Sequence, residues 1–127
     1  MIISIGIDII EVARVQQSIT RTSRFRERVF TPAEIEYCEA RSAKFQHYAA
    51  RFAAKEAAFK ALGTGWSGGV GWHDVEVENE SNGAPRLKLS GRAFDIFRSL
   101  GAARAHLSIS HTGDYAIAQV ILENSRQ

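Results

Sequence analysis

The chain opens on strict alternation. Residues 2–9 read Ile-Ile-Ser-Ile-Gly-Ile-Asp-Ile, a period of two that predicts a strand with Ile3, Ile5, Ile7 and Ile9 on one face and Ser4, Gly6 and Asp8 on the other. The pattern then lengthens to a helical one from about Glu11 to Ile19, with Val12, Val15 and Ile19 inward. Thr31-Pro-Ala-Glu34 has the form of a capping box with proline at the first helical position. It opens a short helix to about Arg41, with Ile35 and Cys38 inward, and its role reads as structural.

From Ala43 to Leu62 the chain is rich in alanine and lacks glycine, proline and β-branched residues. That predicts one long helix, with Ser42 as a candidate N-cap and Gly63 as its stop. On a helical wheel Phe45, Tyr48, Phe52, Phe59 and Leu62 share one arc. The opposite side is nearly all alanine (Ala50, Ala53, Ala54, Ala57, Ala58, Ala61) where a surface helix would carry charge. Both sides are therefore suited to close packing. The stretch from Gly63 to Gly71 is a glycine-rich loop without the GK[ST] of a Walker motif. Strands follow at 74–79 and 86–90, joined by a turn at Asn82-Gly83. A helix capped by Ser90 runs to about Leu100, burying Ala93, Phe94, Phe97 and Leu100 before Gly101. Strands at 105–111 and 115–122 flank the turn Thr112-Gly-Asp114, and residues 123–127 read as a frayed tail.

Composition narrows this little. With 127 residues, 45% hydrophobic and 24% charged, the chain reads as one ordinary globular domain. The net charge of +2 does not argue for nucleic acid, and no base-reading motif is present. Cys38 is the single cysteine, which excludes an internal disulfide, fits a reducing cytosol and reads as a small buried filler. Without an apolar run of about 18 residues or a basic-then-apolar leader, the expectation is a cytoplasmic protein that neither spans a membrane nor is secreted.

Charge placement adds more. Arg14, Arg21, Arg24, Arg26 and Arg28 gather against Glu27 alone, either as a solvated face or as a docking patch for an acidic partner. Phe25 among them either anchors that partner or packs down. In the long helix Lys55 projects into the apolar arc, Glu56 sits at its margin, and Lys60 lies one turn beyond Glu56. One reading is an i, i+4 ion pair. The other is that these charges line a cavity and hold a divalent cation beside an anionic ligand. Asp8 at its strand's end is either a helix cap or part of such a site. His111, where strand meets turn, is similarly open between structural and functional roles.

Three segments together carry a resemblance: Gly6-Ile-Asp8; Arg51-Phe-Ala-Ala-Lys-Glu56 with Lys60-Ala-Leu-Gly-Thr-Gly65; and Ser108-Ile-Ser-His111. They resemble the signatures of the 4′-phosphopantetheinyl transferases, and the length resembles their short, single-domain holo-acyl-carrier-protein synthase branch. The likeness extends over almost the whole chain, including Phe30-Thr-Pro-Ala-Glu34 and the turn Asn82-Gly-Ala-Pro85; one departure is Ala84, where relatives often carry lysine. It implies an α+β fold, an antiparallel sheet packed against a long central helix, in one domain over residues 1–127.

The implied activity is transfer of phosphopantetheine from coenzyme A to a serine of an acyl carrier protein for fatty acid biosynthesis, releasing 3′,5′-ADP. By the same likeness Asp8 and Glu56 would hold Mg2+, and Lys60 would support the leaving phosphate. Glu56 or a metal-bound water would be the base. Lys44, Arg51, Lys60, Gly65, Asn82, Gly83, Pro85 and His111 would contact coenzyme A, with Lys44 and Arg51 serving a neighbouring protomer's site in a homotrimer. Arg14, Arg21, Arg24 and Phe25 would receive the carrier. The rival readings are a broader transferase serving polyketide or peptide synthases and a non-catalytic module that binds acidic proteins. The intact Asp8, Glu56 and Lys60 set weighs against the second.

Overall fold

Gly6 explains how the first two large elements meet. In the computed structural model, which describes residues 1–64 and 68–125, strand β1 (Ile2–Glu11) lies directly on the central helix α4 (Lys44–Leu62). A β-carbon on Gly6 would run into the carbonyl of Ala57 and stand 2.7 Å from Ala61 N, so only glycine opposite alanine allows this approach. Ser4 fixes the register by donating to Ala61 O at 2.6 Å. The face of β1 that meets the helix is thus Ser4, Gly6 and Asp8, whereas Ile5, Ile7 and Ile9 point outward and are half or more exposed.

Gly6→Ala is expected to destabilise the fold by about 1–3 kcal/mol or more, the usual range for overpacking. Gly113→Ala, where an added β-carbon meets nothing within 4 Å, serves as the control. Equal denaturation midpoints for the two variants would show that strand and helix can part without penalty.

After β1 come α1 (Val12–Arg21), α2 (Phe25–Val29), α3 (Pro32–Glu39) and α4. A short 3-10 turn (Trp72–Asp74) leads into the hairpin β2 (Val75–Asn79) and β3 (Pro85–Leu89). Helix α5 (Gly91–Ser99) and strands β4 (Ala102–His111) and β5 (Tyr115–Asn124) complete the described chain. The strands form a three-stranded antiparallel sheet in the order β1-β5-β4 and a separate β2-β3 pair. The architecture is the expected α+β arrangement around a long helix. The alanine face of α4 packs on the sheet with Ala118, Val120 and Leu122, and the aromatic face packs toward α1–α3 with Tyr48 and Phe30. Trp72 stacks on Phe52 at 5.3 Å.

Several expectations need correction. The long helix begins at Lys44 after Ala43 with no side-chain cap, so Ser42 does not cap it. The Arg-rich stretch contains a short helix, α2, that periodicity over five residues cannot reveal. Phe94 and Leu100 of the α5 region are each 40% exposed, because the helix buries Ala93, Ile96 and Phe97 instead. Glu123 and Asn124 are not frayed: they end β5, and Asn124 N donates to Met1 O at 3.0 Å. The capping box stands as read, with Thr31 Oγ1 accepting from Glu34 N at 3.2 Å and Glu34 Oε1 from Thr31 N at 2.9 Å. Cys38 is fully buried, and burial pushes its thiol up to about 12. No helix among the described residues is long and apolar enough to cross a membrane.

Candidate functional site

Two groups of polar side chains lie along α4. The first joins its C-terminal half to β1. Lys60 Nζ donates to Asp8 Oδ1 at 3.1 Å and to Ile7 O at 2.9 Å. Glu56, one turn back and half-buried, has its carboxyl held above the usual carboxylate range, first by burial and then by the nearby Asp8 charge, with Lys60 pulling the other way. The i, i+4 pair read from sequence is thus displaced: Lys60 reaches across to β1 for its ion pair. A half-buried carboxyl that ionises reluctantly, close to a second carboxylate and a half-exposed ammonium, forms a site that a cation would relieve. Their oxygens are the hard ligands Mg2+ prefers, and two protein ligands leave room for phosphate and water in an octahedral shell. The residues fit the implied ion. Asp8 makes no N-cap hydrogen bond, since α1 starts after Glu11 without a side-chain cap.

Lys55 takes no part in this site. It is fully buried, pairs with Glu34 Oε1 at 2.9 Å, and donates to the carbonyls of Trp72 (3.1 Å) and Val75. Glu34 in turn accepts from Val77 N at 2.7 Å. The reading of Lys55 as a cavity-lining charge is overturned: its ammonium is a clamp between α3, α4 and β2.

The second group gathers about the N-terminal half of α4. Arg51, only 4% exposed, donates through Nη2 to Asn79 Oδ1 at 2.5 Å, and Asn79 Nδ2 donates to Gly83 O at 3.0 Å. Asn82 and Gly83 therefore sit on the same hairpin that holds Arg51, with Pro85 opposite Asn79 in the register. His111 meets His47 of α4 with ring centroids 5.4 Å apart. Burial, then repulsion from His111, Arg51 and Arg41, holds the His47 imidazole below its usual range. Lys44 pairs with Glu39 at 3.2 Å at the helix start.

From Arg51 to Lys60 is nine residues, about 13 Å along a helix, and from Lys44 to Glu56 about 18 Å. The predicted coenzyme contacts thus divide between two stations on α4. Gly65 lies outside the described residues. Sequence reasoning passed over Asn79, Tyr37, Arg41 and His47. The i, i+4 spacing of Tyr37 and Arg41 was the available signal.

The arginine patch is narrower than its count implied. Arg26 is consumed by Glu27 at 2.8 Å and Glu39 at 3.2 Å, leaving Arg14, Arg21, Arg24 and Arg28 exposed. Arg14 and Arg21 share a shallow cleft with Gln17, Ser18 and Thr22. Beside it, Ile10, Arg14, Val15, Ser18, Phe25 and Phe52 line a cavity of about 80 Å³. Phe25 packs on Phe52 with centroids 6.1 Å apart and still borders that cavity.

Known proteins share this chain's sequence and fold. The family model of the 4′-phosphopantetheinyl transferase superfamily matches residues 4–120. A holo-[acyl-carrier-protein] synthase of Koribacter versatilis is 54% identical over 125 residues, covering 98% of this chain and 100% of that protein. The crystal structure of a holo-(acyl-carrier-protein) synthase from Bacillus anthracis in complex with CoA (3′,5′-ADP) is 40% identical with a TM-score of 0.81, covering 98% of this chain and 99% of that one. That of Helicobacter pylori in complex with coenzyme A is 33% identical with a TM-score of 0.79, covering 94% and 99%. On both sequence and fold, the chain belongs to the 4′-phosphopantetheinyl transferase superfamily.

Proposed function

We propose that this chain is a holo-[acyl-carrier-protein] synthase, a single-domain enzyme that moves phosphopantetheine from coenzyme A to a serine of apo-acyl carrier protein. The observation that carries the reading is the meeting of Asp8 from β1 with Glu56 and Lys60 from α4, 48 and 52 residues away, in a chain whose relatives bear that activity in their names. A carboxylate pair and an ammonium serve no evident packing purpose there, and they match the demands of phosphoryl transfer.

In the reaction the serine oxygen attacks the phosphorus that carries pantetheine, forming one P–O bond while the P–O bond to the bridging oxygen breaks. The serine proton goes to Glu56 or to a water at the site, the two alternative bases. The departing 3′,5′-ADP gains charge on the former bridging oxygen, and Lys60, half exposed beside Asp8, stabilises that charge or supplies a proton. Asp8 and Glu56 would hold Mg2+, which when bound supplies Lewis-acid polarisation of the phosphate. Asp8 keeps Lys60 directed at the site when no cation is bound.

Two features support a site shared between copies in a homotrimer. The coenzyme contacts divide between two stations on α4, and the outward face of β1 and β5 exposes Ile5, Ile7, Ile9, Tyr115 and Ile117, an apolar surface that suits another copy. A cytoplasmic location accords with a carrier-modifying role in fatty acid biosynthesis. The direct test is incubation with coenzyme A, Mg2+ and apo-carrier, with mass spectrometry of the carrier. An unchanged carrier mass refutes the proposal.

Carrier docking belongs to Arg14, Arg21 and Arg24, with the small cavity at Phe25 open to an apolar side chain of the partner. Because β1 runs straight into α1, a carrier held there has its serine near Asp8. Such attraction acts mainly on encounter and is screened over about 8 Å at physiological salt. Arg14→Glu with Arg21→Glu is expected to raise KM for the carrier at least about tenfold, and KM for coenzyme A by less than about twofold. Added salt should reproduce the effect in the wild type. Normal carrier affinity in the doubly reversed variant would make the patch solvated surface only.

A further inference from the structure

Arg51 is a buried cation without a carboxylate. Among the described residues it makes no ion pair: its only hydrogen-bond partner is the neutral Asn79, and its Nε is buried with no partner at all. What it does have is the ring of Tyr37, whose centroid lies 3.9 Å from the guanidinium carbon. The Arg41 guanidinium carbon stands 3.3 Å from the same centroid. Two guanidinium groups at those distances would collide on one face of a ring, so they take opposite faces. Arg41 likewise lacks an ion pair, donating only to Tyr37 O at 2.7 Å. His47 approaches the ring edge-on at 5.7 Å.

Flanking one ring with two unpaired cations is favourable for each as a cation–π contact and unfavourable between them. Neither arginine has an ion pair among the described residues to offset that repulsion. Two carboxylates lie close by without pairing with either arginine: Glu76 accepts from the neutral Thr31 Oγ1 at 2.5 Å, and Glu78 faces Arg86 at 3.8 Å. Tyr37 and Arg51 open, with Asn79 and Lys88, onto a cavity of about 580 Å³ that Glu76 and Glu78 also border. The neighbouring His47 is held below its usual range by burial first, and then by the charges of His111, Arg51 and Arg41.

We propose that Tyr37 is a positioning residue for coenzyme A, its ring holding Arg41 and Arg51 so that both present N–H donors to one phosphomonoester at the ring's rim. The proposal rests on the reading of Arg51 as a coenzyme contact. Coenzyme A carries a diphosphate, which is cleaved, and a phosphomonoester on its ribose. The diphosphate is assigned to the Asp8, Glu56 and Lys60 station. The phosphate at Arg51, about 13 Å down the helix, is therefore the monoester, whether the coenzyme is bound mainly by this copy or by its neighbour. Guanidinium is the natural reader of such a dianion, since it offers paired donors and never loses its charge. Tyr37 supplies the rigid plane that stops either arginine from swinging away.

The experiment compares coenzyme A with its analogue lacking only the 3′-phosphate, measuring kcat and KM for each at saturating carrier. The wild type should prefer coenzyme A by at least about tenfold in kcat/KM, the scale of one or two charge-assisted hydrogen bonds. Tyr37→Leu, which removes the plane and leaves both arginines in place, should lose most of that preference, with the loss falling on KM for coenzyme A and not on kcat. Tyr37→Phe, which keeps the ring, should recover it. Arg41→Gln should lose about as much as Tyr37→Leu, and it decides the matter if the leucine variant does not fold. A wild type indifferent to the 3′-phosphate overturns the reading of the Arg51 station itself. A wild type that discriminates, with preference intact in folded Tyr37→Leu or in Arg41→Gln, overturns the role of the stack alone. A purely structural Tyr37 would lower the melting temperature without moving the ratio of the two coenzymes.

Discussion

Removing either carboxylate of the β1–α4 station is expected to lower turnover by about 100- to 1000-fold while the protein stays folded, the range found when one preorganised transition-state contact is lost. Asp8→Ala deletes the group that Lys60 bonds, and Glu56→Ala deletes the raised, half-buried carboxyl. The informative companion is Glu56→Gln. Glu56 ionises less readily in the folded chain than in the unfolded one, so its negative charge costs stability as pH rises from the unfolded pKa through the higher folded one, and the cost persists above. Neutralising it should raise the melting temperature at neutral pH in the absence of divalent cation while abolishing most activity. For the same reason cation affinity in the wild type should weaken as pH falls through the raised Glu56 pKa, because proton and cation compete for one carboxylate. Thermal scans and Mg2+ titrations of wild type and Glu56→Gln at several pH values check both signs. Near-normal turnover in either alanine variant at saturating Mg2+ would remove these carboxylates from the reaction.

What could be read in advance divides along physical range. The Thr31–Glu34 capping box is visible because its partners are three residues apart and each bonds the other's backbone. The span of α4 is visible because nothing in it resists a helix and Gly63, left-handed at φ 79°, must end it. Alternation in β1 gives two faces but not their assignment. Four isoleucines look like the core side, and the actual contact is Gly6 against Ala57 and Ala61, set by backbone approach and not by hydrophobicity. Ile5, Ile7 and Ile9 are left for another surface, which one chain's periodicity cannot announce. Phe94 misleads in the same way, since α5 has more apolar residues than its packed side needs. Asp8, Glu56 and Lys60 were legible only through the combined motif. No local pattern says that strand residue 8 will stand beside helix residue 60. The Arg51–Asn79 bond and the two-sided Tyr37 stack span three elements, so nothing in their separate neighbourhoods marks them.

Glu34→Ala is expected to be the most damaging single change for stability, by about 3–5 kcal/mol, the usual result of stranding one member of a buried ion pair. Both side chains are fully buried and 2.9 Å apart. Glu34 spends its other oxygen on Val77 N, so its loss leaves an ammonium and two backbone donors, on Thr31 and Val77, without their carboxylate. Burial already holds the Lys55 pKa below its ordinary value, and Glu34 is the main influence raising it again. Without Glu34 that pKa falls further. The folded chain then binds fewer protons than the unfolded one between the lowered and the ordinary lysine pKa, and stability should rise with pH across that window. The variant's deficit against wild type should therefore shrink in alkali. Lys55→Met alone strands the carboxylate instead, though Thr31 and Val77 still donate to it, so its cost should be smaller than that of Glu34→Ala. Glu34→Leu with Lys55→Met removes both charges and should recover part of the loss, limited by the carbonyls of Trp72 and Val75 and the amides that the pair had satisfied. Urea unfolding of the three variants at neutral and alkaline pH measures all of this. A double variant no better than Glu34→Ala, or a deficit that grows with pH, would show that the clamp acts through packing and not through charge.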